Sequence, residues 1–285
     1  MIFVSSSCVK HSKISHSVKE LAEHGFKNIE LSGGTDYYKN YIKDLIDLKK
    51  KYNLNYFIHN YFPPPEQHFV LNLASLNQTI FDNTINHFKI SIDLAKKLDI
   101  DRIGVHAGFY IDPNVNELGH NISKTTINNR RKAIDRFING YSSLKRYGDD
   151  VIIYVENNVI SKRNFKTYKT NPFMLTNLAD YHELKDRIDF PLLLDVAHLK
   201  VSCKTLDLGF EYELSELLEH SDYIHISDNN GESDTNNPID ENSYMLQYLK
   251  TSRLDNKKIT LEIYDDIYKL RKSFKIIANM EDFIK

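Results

Sequence analysis

Eight short apolar runs, each followed by a longer one-sided amphipathic stretch, leave this sequence few folds to adopt. The runs are Ile2-Phe3-Val4, Asn28-Ile29-Glu30-Leu31, Tyr56-Phe57-Ile58-His59, Ile103-Gly104-Val105-His106, Val151 to Glu156, Pro191 to Asp195, Tyr223-Ile224-His225-Ile226 and Ile259-Thr260-Leu261-Glu262. They are near-continuously apolar, as strands buried on both faces of a parallel sheet must be. They recur about every 36 residues, the length of a strand plus a crossover helix. Between them, Ile85, Phe88, Ile92 and Ala95 repeat at helical spacing, as do Ile134, Phe137, Ile138 and Tyr141. Each set makes one apolar stripe, the inner face of a helix packed on a sheet. Ser17 and Glu20 ahead of Leu21-Ala22 have the spacing of a capping box. A final helix around Ile267 to Ile284 follows the eighth run.

An open doubly wound sheet alternates in the same way, but it usually carries a glycine-rich turn after an early strand. Ser32-Gly33-Gly34 lacks that spacing. A chain of 285 residues also suits a barrel of about 250 residues. With 41% hydrophobic and 27% charged residues, it has enough apolar surface for a large core. No linker or shift of composition divides it. The sequence therefore predicts an α/β fold, a single (β/α)8 barrel forming one domain over residues 1–285.

The net charge of −2, with no long run of one sign, argues against nucleic acid or an anionic membrane as partner. No apolar run reaches the ~20 residues that span a bilayer, and Met1 to Ser7 lacks the layout of a signal peptide. Two cysteines, Cys8 and Cys203, form no metal or redox motif and read as structural, in keeping with a cytoplasmic protein.

Loop lengths are asymmetric. Long loops follow the third, fourth, fifth and seventh runs, at 60–75, 107–123, 157–171 and 227–240, whereas the opposite turns, such as His24 to Lys27, are short. Long loops at the carboxyl ends of strands mark the catalytic face of a barrel. Seven of the eight runs end in, or next to, a side chain able to bind a metal or move a proton: Glu30, His59, His106, Glu156, Asp195, His225 and Glu262. A buried strand has little reason to end in a charge. In a closed barrel these ends converge on one mouth, where oxygen and imidazole ligands suit Mn²⁺, Mg²⁺, Co²⁺ or Zn²⁺. His198, three residues after Asp195, can turn back toward the same mouth.

Val155-Glu156-Asn157, Leu194-Asp195-Val196-Ala197-His198, Ile224-His225-Ile226-Ser227-Asp228-Asn229 and Leu261-Glu262 resemble the xylose-isomerase-like barrel superfamily. That superfamily holds sugar isomerases and epimerases, inosose dehydratases and apurinic endonucleases of the endonuclease-four type. In the isomerase and epimerase branch, the resemblance implies one divalent ion on Glu156, Asp195, His225 and Glu262. The two glutamates would be the catalytic acid/base pair, and His198 would hold a substrate oxygen. The expected reaction is α-proton transfer through an enediolate on a small sugar or sugar phosphate. His59 and His106 are expected to touch the substrate, and they leave room for a second ion.

In the endonuclease branch, the resemblance implies three zinc ions, with His59, His106 and His198 among the ligands. There the matching Asp-x-His stretch is Asp234-Thr235-Asn236, and asparagine is a poor replacement for imidazole. A keto-polyol dehydratase is a further branch of the same superfamily. The cluster Lys162, Arg163, Lys166 and Lys169 reads as a solvated loop in preference to a phosphate clamp. Homo-oligomers are common among such barrels.

Overall fold

The computed structural model describes every residue except 118–121, 253, 255 and 283–285. Ile284, the expected end of the last helix, lies outside the described residues. Eight parallel strands close into a barrel in chain order. They are β1 (Ile2–Ser5), β2 (Asn28–Leu31), β3 (Asn55–Ile58), β4 (Arg102–His106), β5 (Ile152–Glu156), β6 (Leu192–Asp195), β7 (Tyr223–Ile226) and β8 (Lys258–Leu261). Every apolar run identified in the sequence is one of these strands, and β1 pairs with β8 to complete the ring. The open-sheet alternative is thereby excluded.

Helices α1 (Ile14–Glu23), α2 (Tyr41–Tyr52), α3 (Gln78–Lys97) and α4 (Arg130–Tyr147) each connect two strands. Two helices, α5 (Lys162–Tyr168) and α6 (Leu178–Lys185), link β5 to β6, and α7 (Val196–Leu206) and α8 (Phe210–Glu219) link β6 to β7. The last two are α9 (Tyr244–Leu249) and α10 (Ile267–Asp282). Phe88, Ile92 and Ala95 of α3 are buried, as are Ile134, Phe137 and Tyr141 of α4. These are the stripes expected to face the sheet.

The capping-box expectation fails. Helix α1 begins at Ile14 behind Lys13, which makes no side-chain cap, and Ser17 lies inside the helix and is buried. The apolar contacts of Ile14 and Val18 outweigh the local Ser/Glu signal and start the helix a turn earlier. Both cysteines are buried and free, as expected. The Cys8 thiol donates to Leu261 O at 3.4 Å and accepts from Ile263 N at 3.2 Å, which ties the segment after β1 to the end of β8.

The barrel interior is filled below its mouth. Phe3 stacks on Phe57 at 3.8 Å, and Tyr223 packs edge-on against Phe57 and Tyr154 at 5.4 and 5.3 Å. The Arg102 guanidinium lies over Phe57 and Tyr154 at 4.9 and 5.5 Å and pairs with Asp101. Ring faces and a carboxylate thus satisfy a charge that burial would otherwise penalise. This aromatic floor leaves the carboxyl ends of the strands as the place for a site.

Away from the mouth, His87 of α3 is buried with its Nε2 unpartnered among the described residues. Burial pushes its pKa down to about 4. The unfolded chain takes up this proton near pH 6.5, before the folded one does, so the fold loses stability as pH falls from 6.5 to 4. The expected loss is about 3 kcal/mol. Urea denaturation of His87→Leu against the parent protein at pH 7 and pH 4.5 checks it. Equal pH slopes in the two proteins would refute the assignment.

Candidate metal centre

Inward-facing residues alternate along each strand, so the parallel register decides which functional groups become neighbours. His106 stands opposite Glu156, and Asp195 opposite His225. His59 and Glu262 each follow the last residue of a strand. Glu30, Glu156 and His225 are completely buried, and His59, Asp195, His198 and Glu262 nearly so. All seven strand-end groups and His198 meet at one end of the barrel.

Glu156 is the hub. Its Oε2 is 2.7 Å from His59 Nε2 and 2.8 Å from His106 Nε2. Its Oε1 faces His225 Nδ1 at 3.4 Å and His198 Nδ1 at 3.9 Å. His225 Nδ1 also lies 3.8 Å from Glu262 Oε2, and His59 Nδ1 lies 3.9 Å from Glu262 Oε1. The backbone of Gly104 makes room for His59, because a Cβ at that position would stand 2.9 Å from the imidazole.

Asp195 has two jobs. Its Oδ1 caps α7 by accepting from His198 N at 2.7 Å, and its Oδ2 lies 3.9 Å from His198 Nε2. Asn157 holds this corner in place. It exchanges two hydrogen bonds with the Asp195 backbone, and its carbonyl lies 2.8 Å from His198 Nδ1. His198 Nε2 then points toward Asp234 Oδ2 at 3.4 Å.

Electrostatics follow from this crowding. Burial alone would raise the Glu156 pKa, but His106 and His59 outweigh it and hold the carboxyl well below its usual range. Asp195 is pushed up to about 6 by burial, with Asp234 and Glu156 adding to the effect. Burial also raises Glu262, against the pull of His225 and His59. Burial opposes charge on His198 and His225, yet the surrounding carboxylates raise both well above the usual value.

These donors fit a divalent cation. Glu156 Oε1, Asp195 Oδ2 and His225 Nδ1 are buried side-chain atoms with no hydrogen-bond partner among the described residues. Orphaned polar atoms cost about 1–3 kcal/mol each unless something fills the gap between them. Three overlapping sets have ligand atoms within 4.8 Å of one another: Glu30, His59, His225 and Glu262; His59, His106 and Glu156; and Glu156, Asp195 and His198. The expected quartet Glu156, Asp195, His225 and Glu262 is spread over these sets and does not form one of them. His59 and His106 are bound to Glu156 itself, nearer the centre than a purely substrate-contacting role required.

The centre opens into a cavity of about 910 Å³, lined in part by His59, His106, His198, Asp234 and Glu262. Its lining also includes Lys10, His11, His68 and several hydroxyls, with Thr35 Oγ1 and Asn60 Oδ1 buried and unpartnered among the described residues. A second chamber of about 400 Å³ shares Tyr61, His106, His198 and Asp234 with the first. The expected solvated loop is in fact helix α5, with Ser161 as its cap, Tyr168 buried and Phe165 packed inward. Of its cations only Arg163 lines the second chamber. Asn236, the residue in place of an imidazole, accepts from the Ser227 hydroxyl at 2.9 Å and lines the main cavity. Sequence reasoning gave no role to Glu30 or Asn157, although Glu30 stood in the strand-end series and Asn157 followed Glu156 in a motif.

A closed parallel barrel with buried carboxylates and imidazoles gathered at its strand ends defines a class of protein. The model of the xylose isomerase-like TIM barrel family matches residues 18–280, and the chain belongs to that family. Three solved structures illustrate the likeness. A D-tagatose 3-epimerase-like protein is 19% identical, with a TM-score of 0.73, and 99% of this chain and 97% of that one are covered. D-psicose 3-epimerase from Clostridium cellulolyticum, solved with D-tagatose, is 11% identical with a TM-score of 0.68, covering 100% and 99%. Endonuclease IV from Thermus thermophilus is 12% identical with a TM-score of 0.61, covering 99% and 98%. At these identities the likeness is one of fold. No curated protein matches the sequence at a significant level. No described helix is long and apolar enough to cross a membrane.

Proposed function

We propose that this protein is a divalent-metal-dependent isomerase or epimerase of a sugar or sugar phosphate. The observation that carries the reading is the convergence of Glu156 and Glu262. They reach in from β5 and from the end of β8, and both face His225 Nδ1, at 3.4 and 3.8 Å. Two carboxylates aimed at one point suit removal of a proton beside a carbonyl and its return to another face or the neighbouring carbon. Glu156, Asp195, His225 and Glu262 would hold the ion, which polarises the carbonyl and its neighbouring hydroxyl when bound. His198, its Nδ1 turned to the Asn157 carbonyl, presents Nε2 beside Asp234 at the cavity, where it would hold a substrate oxygen. Burial of the centre excludes water, which strengthens each of these interactions.

The cavity is large for a bare monosaccharide and lies in the upper part of the usual 300–1,000 Å³ range for ligand sites. Lys10 in its lining supports a phosphorylated sugar. A metal-dependent phosphoesterase is the second reading. It is favoured by the hold of His59 and His106 on Glu156, and opposed by Asn236.

One measurement separates these readings, and a second tests the metal they share. The metal-loaded protein should exchange an α-proton of a ketose or ketose phosphate in deuterated water. Cleavage of phosphodiesters to a phosphomonoester and an alcohol, without any such exchange, overturns the isomerase. Free Mn²⁺ at a hundred times its Kd should also add about 2.7 kcal/mol to the stability of the chelator-stripped protein. Unchanged unfolding in Mn²⁺, Co²⁺ and Zn²⁺ sinks both readings.

A further inference from the structure

We infer that Glu30 is a positioning residue: its carboxylate holds the His225 ring by Nε2 so that Nδ1 is the nitrogen offered to the cation. The inference rests on the metal centre of the proposed function and not on its reaction. Glu30 belongs to β2, across the barrel from β7, and is completely buried. Its Oε2 is 3.1 Å from His225 Nε2 and accepts from the Thr260 hydroxyl at 3.2 Å. Thr260 stands beside His225 in the β7–β8 register. The Tyr223 hydroxyl is 3.4 Å from Thr260 Oγ1. Thr260 spends its one proton on Glu30, so the Tyr223 hydroxyl is the donor in that pair. The acceptor at Nε2 is therefore itself fixed by a buried chain of hydroxyls.

Direction follows from donor chemistry. A carboxylate can only accept, so the proton between Glu30 and His225 resides on Nε2. Nδ1 points the other way, toward Glu156 and Glu262, and has no hydrogen-bond partner among the described residues. Without Glu30, the carboxylates at 3.4 and 3.8 Å would draw the ring proton to Nδ1 and block the position a cation needs. Carboxylates placed behind metal-binding histidines fix the tautomer in this way, and their loss typically costs about 10–100-fold in metal affinity. Glu30 Oε1 is buried and unpartnered among the described residues, and its carboxylate also lies within 4.8 Å of His59 and Glu262 ligand atoms. Direct ligation by Glu30 is therefore the rival role.

The test uses the full chain. Glu30→Gln keeps the shape and loses the charge. Isothermal titration with Mn²⁺ should show about 10–100-fold weaker binding at unchanged stoichiometry, with the melting point of the metal-free protein within a few degrees of the parent. Unchanged affinity overturns the inference. Loss of an ion from the stoichiometry makes Glu30 a ligand and overturns it as well. Should the variant fail to fold, the unmodified protein still decides. Long-range proton–nitrogen spectra of the zinc-loaded form should show His225 bound through Nδ1, with a proton retained on Nε2. Binding through Nε2 refutes the assignment. Mn²⁺ binding that responds to Glu30→Gln, with no sugar exchanging a proton, leaves the inference standing and removes the isomerase.

Discussion

Glu156→Gln is expected to abolish divalent-cation binding and turnover together. One oxygen of this carboxylate sits between two imidazoles at 2.7 and 2.8 Å, and the other faces two more. An amide of the same shape supplies one acceptor and one donor where the site needs two acceptors. It also removes the charge that four surrounding histidines face. Loss of general acid–base action alone costs about 10²–10⁴ in rate, and loss of the cation adds to it. Breaking a buried charge pair costs about 3–5 kcal/mol of stability. Titration with Mn²⁺ and α-proton exchange on the same preparation check both parts, with circular dichroism to confirm the barrel. A variant that binds Mn²⁺ with parental affinity would mean that Glu156 is no ligand.

The second large effect is on the fold. Tyr223 is among the largest fully buried side chains and packs against Phe57, Tyr154 and His225. Tyr223→Ala leaves a cavity in the barrel floor that rigid strands cannot close, at an expected cost of about 3–5 kcal/mol. Its hydroxyl also leaves Thr260, so metal affinity should weaken along with stability. Denaturant unfolding at neutral pH measures the first, Mn²⁺ titration the second. A loss below about 1 kcal/mol would show that the floor is not packed as described.

The strands were legible in the sequence to within about a residue, and the reason is physical. A strand covered on both faces has no polar side, so it appears as an uninterrupted apolar run with turn residues around it. The same uniformity made the strand-end charges conspicuous: Asp195 closes Leu192 to Leu194, and Glu156 closes Ile152 to Val155. Convergence was less legible. Glu30 looked like one more strand-end acid, since its role depends on His225, 195 residues away. Asn157 resembled a loop residue, although it positions both Asp195 and His198. The Ser17/Glu20 pattern was a true local signal that tertiary contacts overrode. Helix α5 hid behind its charges because Phe165 and Tyr168 are too few to mark a stripe.

The closure of β1 on β8 has a consequence for when the centre comes into being. Its parts are drawn from β2 through β8, and Glu30 meets Thr260 across 230 positions of chain. The contacts of Glu30 with His225 and Thr260 need the chain from β2 to β8, whereas His59, His106 and Glu156 come from three consecutive strands. A growing chain thus contains the groups around Glu156 well before it contains Thr260. Only the closed ring brings Glu30 to His225 and Thr260, so segments from near the two ends of the chain meet at the candidate centre.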